Sequence, residues 1–207
     1  MLVAGGFLPT ALATKHKKIK AKGGQFELLI LKIDIMGCDI HSFAEVKRNN
    51  KWEKVNDHFS LDDFDKEYYK KEKGENPFDW RDYSIFAFLA GVRNYDHCEP
   101  ISKPKGLPED LSDEVKQHYE YWECYAHSTS YLTSKELLEF DYDKTFWNRR
   151  ITKVEGNCIN GAALAEEGEG KVLTYRENLG EWFFKRLEEL KTLGESENVR
   201  IIFWFDN

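Results

Sequence analysis

Residues 36–48 read MGCDIHSFAEVKR, and the alternation in this stretch decides the fold. Laid on a strand, Asp39, His41, Phe43 and Glu45 share one face, while Cys38, Ile40, Ser42, Ala44 and Val46 share the other. RNNK (48–51) supplies a turn and KWEKV (51–55) returns as a second strand, so the segment is expected to form a hairpin. At the far end, NVRIIFWFDN (198–207) is apolar on both faces, the pattern of a strand central in its sheet. Its expected partner is the strand bearing Asp39 and His41.

Helix signals lie between these strands. DYSIFAFLAG (82–91) predicts a short buried helix, with Asp82 as N-cap and Gly91 as a left-handed stop. Ser112 caps DEVKQHYEYWEC, helical to about Cys124. TSKELLEF (133–140) opens with Thr133 and Glu136 at capping-box spacing. ENLGEWFFKRLEELKTLG (177–194) is the clearest amphipathic helix. It carries Leu179, Trp182, Phe183, Leu187, Leu190 and Leu193 on one stripe and stops at Gly194.

Residues 57–79 mix both charges without periodicity and read as a surface excursion. Residues 92–112, with three prolines, read as a long loop. The order gives an α+β fold in one domain over 36–207, a mainly antiparallel sheet with helices packed on one face.

Composition narrows the function classes. The chain has 207 residues, 41% hydrophobic and 14% aromatic, enough for a folded core, and its net charge of −7 argues against broad binding of nucleic acid. Four cysteines without a CxxC pair point to a reducing, cytoplasmic setting. In residues 1–35 an apolar part precedes the basic cluster, the reverse of a secretory signal, and no run reaches the roughly 20 residues of a membrane span. No membrane role is expected.

MGCDIH, FAFLAGVRNY, PISKPKGLPEDLS, AHSTSYLTSKELLEF and VRIIFWFDN occur in this order. The set resembles a family of small proteins of bacteriophage and prophage genomes with no assigned activity. The resemblance covers 36–207, which makes residues 1–35 an N-terminal extension of doubtful status. It implies a protein acting in the cytoplasm of a bacterial host, with reason to sequester or destroy nucleotide signals of host defence.

Several groups carry candidate chemistry. Two C-x-x-H units, Cys38 to His41 and Cys124 to His127, raise zinc, but residues three apart on a strand point to opposite faces. Asp39 and His41 do share a face, and with His127 or His97 they form a possible metal site. The alternative reading is a buried Cys38 beside a hydrogen-bonded His41, so the metal and any cofactor stay unknown. HSTS (127–130) has the H-x-[ST] form of phosphoesterases, in which histidines act as acid and base and hydroxyls hold phosphate. Read as a plain polar turn, the same residues lead into the Thr133 cap. No recognised motif surrounds Cys38 or Cys124 as a nucleophile.

The proline-stiffened loop gathers Arg93, Asn94, Tyr95, His97, Lys103 and Lys105, the groups that bind a phosphorylated nucleoside: charge for phosphate and a ring for the base. Trp182, Phe183, Phe203 and Trp204 read as core, whereas Trp80 and Tyr95 are candidates for stacking on a ligand. The leading expectation is a pocket for a small phosphorylated, nucleotide-like molecule. Asp39, Arg93, Asn94, Tyr95, Lys103, Ser128 and Ser130 would bind it. The alternatives are a phosphodiesterase using His41 and His127 as catalytic residues, and a protein-interaction module that inhibits a host protein.

Overall fold

The structure, a computed structural model, describes residues 37–155, 158–166 and 169–207. The proposed N-terminal extension lies outside them. The hairpin forms as expected from β1 (Asp39–Arg48) and β2 (Lys51–Lys54). Asn49 and Asn50 between them both have positive φ, 49° and 62°, as a two-residue hairpin turn with native twist requires.

The 57–79 excursion is more ordered than its composition suggests, containing β3 (Phe59–Ser60), α1 (Asp63–Tyr69) and β4 (Lys73–Gly74). Phe59 and Phe78 belong to the main core and anchor it. α2 (Tyr83–Ala90) has both expected caps, Asp82 accepting from the Ser84 and Ile85 amides and Gly91 at φ 71°. α3 (Asp113–Trp122) is capped by Ser112 and ends two residues before Cys124.

The expected polar turn at residues 127–130 is instead the start of a strand, β5 (His127–Thr133). In that stretch Ser130 and Leu132 alternate inward and both are fully buried. The capping box at Thr133 then opens α4 (Ser134–Glu139). β6 (Thr145–Asn148), β7 (Arg150–Glu155), β8 (Cys158–Leu164) and β9 (Lys171–Thr174) follow, pairing β6 with β9 and β7 with β8.

α5 (Tyr175–Lys191) begins earlier than expected, at a capping box of Thr174 and Glu177. Its backbone breaks at Gly180 (φ 73°, ψ 172°), so the residues on either side do not continue one stripe. Leu179, Phe183, Leu187 and Leu190 are buried, but Trp182, read as core, is 42% exposed.

The chain closes with β10 (Val199–Asp206), which sits inside a four-stranded sheet of order β2-β1-β10-β5, antiparallel throughout. Its register with β1 sets Asp39 opposite Asp206, His41 opposite Trp204, Phe43 opposite Ile202 and Glu45 opposite Arg200. One face of this pair, with Ile40, Ala44, Ile201, Phe203 and Phe205, packs on α2, α4 and α5 in the main core.

On the opposite face Phe43, Ile202 and Trp204 meet Val115, Tyr119 and Trp122 of α3, and Leu107 and Leu111 of the loop before it. The α+β class with a mainly antiparallel sheet therefore holds, but helices cover both faces instead of one. The cause is β10 itself: a strand apolar on both sides must be covered on both. Among the described residues no helix is long and apolar enough to cross a membrane.

Candidate functional site at the rim of the central sheet

Where β1 begins and β10 ends, polar side chains gather from five parts of the chain. Arg81, just before α2, grips Asp39 with two parallel bonds, Nε to Oδ1 at 2.9 Å and Nη2 to Oδ2 at 2.7 Å. These bonds hold the Asp39 carboxyl below the usual carboxylate range. A Cβ at Gly37 would meet the Arg81 guanidinium, so a larger residue there would displace that side chain from its place beside Asp39.

His41, on the same face as Asp39, lies against Trp122 (ring centroids 4.2 Å apart) and Trp204 (5.7 Å). Its Nε2 is 3.6 Å from Asp206 Oδ2, beyond hydrogen-bonding distance, and has no hydrogen-bond partner among the described residues.

A second set sits on the other face. Arg93 Nη2 donates to Asn207 Oδ1 at 3.1 Å, the Asn207 amide lies 3.1 Å from His127 Nε2, and His127 Nδ1 lies 3.1 Å from Ser128 Oγ. Burial, with the Arg93 charge adding to it, pushes the His127 pKa below 6.5 and favours the neutral imidazole at pH 7. In the tautomer that satisfies both contacts, Asn207 donates to Nε2 and Nδ1–H donates to Ser128. Arg93 also reaches the Tyr95 and Cys38 side chains.

Arg93 and Ser128 have left-handed backbone (φ 49° and 51°), which non-glycine residues adopt at a cost. Ser128 occupies a bulge: from the Phe203–Ser130 pair to the Phe205–His127 pair, β10 advances two residues and β5 three. The bulge brings His127 opposite Phe205, against whose ring it stacks with centroids 6.0 Å apart.

These positions sort the expected site residues. Arg93, Tyr95, His127 and Ser128 meet at one rim. Asp39 and His41 lie at the same end of the strands but on the opposite face: His41 stacks on Trp204 and His127 on Phe205, neighbours that alternate sides of β10. His41 and His127 therefore do not share one concavity, as the phosphodiesterase alternative requires.

Asn94 turns inward, its amide donating to Cys98 O at 2.8 Å and its Oδ1 accepting from Cys98 N at 3.1 Å, so it closes the loop. Ser130 is fully buried and accepts from the Lys105 amide at 3.1 Å, tying that loop to β5. Lys103 and His97 are exposed. Burial raises the Cys38 pKa, and that of Cys98 to about 12, keeping both thiols protonated.

Arg81, Asp206 and Asn207 lie outside the candidate site residues that the sequence singles out. The last two were within its reach, since they are the polar end of an apolar strand expected to pair with β1. Among the described residues no group of three or more His, Cys, Asp or Glu side chains is placed to hold a metal ion. Comparison of the chain with protein families, with curated proteins and with solved structures finds no match.

Proposed function

We propose that this chain binds and sequesters a small phosphorylated, nucleotide-like molecule at the rim. Arg93 takes phosphate, Tyr95 stacks on the base, and neutral His127 with Asn207 supplies directional polar contacts. The observation that carries this reading is the Arg93–Asn207–His127 hydrogen-bonded chain, flanked by left-handed backbone at Arg93 and Ser128. Strain of this kind concentrates where a site is preorganised.

Sequestration is favoured over hydrolysis by His41 and His127, because two histidines on opposite faces of β10 do not flank one phosphate. A cyclic nucleotide of host defence, met in the host cytoplasm, is the ligand that the phage-family resemblance suggests.

A thermal-shift screen with cyclic dinucleotides and cyclic ADP-ribose isomers tests the reading. A ligand at about 100 times its dissociation constant adds about 2.7 kcal/mol of stability, and Arg93→Ala removes the gain. Chromatography after heat denaturation should return the ligand intact; recovery of a cleaved product defeats sequestration, and absence of any shift defeats binding.

One observation favours a second reading, inhibition of a host protein through a docking surface: Phe64, Tyr68 and Tyr69 of α1 are 74%, 70% and 59% exposed. That reading expects no nucleotide-dependent shift and loss of partner binding in Phe64→Ser.

A further inference from the structure

Away from the rim, α1, the segment before α2 and α5 enclose a cleft of about 250 Å3. Its walls are the indoles of Trp80 and Trp182, and Asp62, Asp65 and Asp79 edge it. Arg186 lies beside both indoles, its guanidinium carbon 5.5 Å from the Trp80 ring centroid and 5.3 Å from that of Trp182. That cation is already committed: Nε donates to Pro77 O and Nη1 to Glu189 Oε2, both at 2.8 Å.

Among the described residues none of the three aspartates is ion-paired. The cleft is therefore aromatic and anionic. Asp79 is exposed at the cleft edge; desolvation raises its pKa, the Arg186 charge opposes the rise, and the Asp65 and Asp62 charges add to it. A cation entering the cleft relieves that repulsion.

We propose that this cleft binds a small organic cation carrying guanidinium or ammonium groups, with Asp79 as counter-ion and Trp182 as the aromatic face. The three carboxylates are not grouped to hold a metal ion, so their charge suits a cation spread over several atoms. Phosphorylated ligands are repelled, which separates this site from the rim. Indole faces attract such cations through the ring quadrupole, and a ligand cation competes for Trp182 with Lys185, whose Nζ lies 4.2 Å from the ring centroid. A volume of about 250 Å3 lies below the roughly 300–1,000 Å3 of pockets for drug-sized ligands, so the ligand is small.

Isothermal calorimetry of the full chain with agmatine, which carries a guanidinium and an amine, tests the site. Saturable binding is expected, weakening as sodium chloride is raised and weakening about tenfold in Asp79→Asn and in Trp182→Ala. Trp182 is 42% exposed, so its truncation should leave the far-UV circular dichroism unchanged, and it decides the matter alone if Asp79→Asn unfolds. Absence of binding, equal affinity in the folded variants, or tighter binding of methyl glucoside than of agmatine overturns the proposal.

Discussion

The two ends of one sheet face treat their charges in opposite ways. At one end Glu45 and Arg200, opposite each other in the β1–β10 register, are both buried and joined Oε2 to Nε at 2.7 Å. Glu45 Oε1 accepts from the Ser112 amide at 2.8 Å and so fixes the start of α3. Arg200 also donates to Asp110, Nη1 to Oδ1 at 2.7 Å and Nη2 to the backbone oxygen at 3.0 Å, and lies 3.9 Å from the Trp52 ring centroid. Trp52 closes the circuit by donating to Asp110 Oδ2 at 2.8 Å.

At the other end, four register steps beyond the Phe43–Ile202 pair, Asp39 and Asp206 face each other, and His41 Nε2 lies 3.6 Å from Asp206 Oδ2. The difference separates a buried, fully paired network from an open end whose charges are only partly paired. The buried circuit pairs each of its charges, whereas at the other end His41 Nε2 has no hydrogen-bond partner among the described residues.

The largest effect should come from cutting the closed circuit. Arg200→Ala or Glu45→Ala strands a buried charge and should cost about 3–5 kcal/mol, read by urea denaturation. His41→Ala at the open end loses stacking on Trp122 and Trp204, about 0.5–1.5 kcal/mol for each aromatic contact. If it matches Arg200→Ala in cost, the contrast between the two ends fails.

A pH effect should come next. The pKa of His127 is lower in the folded chain than 6.5, its ordinary value, so the unfolded chain binds more protons between the two values. Its stabilising contribution is complete above pH 6.5 and is lost as pH falls through the folded value. Thermal midpoints compared at pH 7.5 and 5.5 should drop for the native chain and drop less for His127→Gln; equal slopes would remove His127 from the account.

The smallest effect belongs to Asp39 and Arg81, half exposed at 54% and 50% of their side chains. Asp39→Asn should cost about 0–1 kcal/mol, less at high salt. A larger loss would mean that this pair is part of the structural circuit and not of the open rim.

Much of the fold was legible because its signals are local. The caps at Asp82, Ser112 and Thr133 rest on side-chain to backbone bonds spanning two or three residues, and the face shared by Asp39 and His41 rests on strand alternation alone. Trp182 was misread because Gly180 interrupts the stripe that helical periodicity assumes. β6 through β9 went unseen because two-stranded pairs with sparse apolar alternation resemble loops.

The candidate site was legible in its members more than in its arrangement: Arg93, Tyr95 and His127 were singled out, yet Asn207, which links two of them, was not. By itself the sequence determined that β10 is buried on both faces, that β1 turns one polar and one apolar face, and where helices begin, since each follows from side-chain chemistry within a few residues. Only the tertiary structure decided on which face of β10 His127 falls. That choice depends on the pairing of β5 with β10, and the one extra residue in the bulge at Ser128 sets how far His127 lies from Ser130 along that pairing.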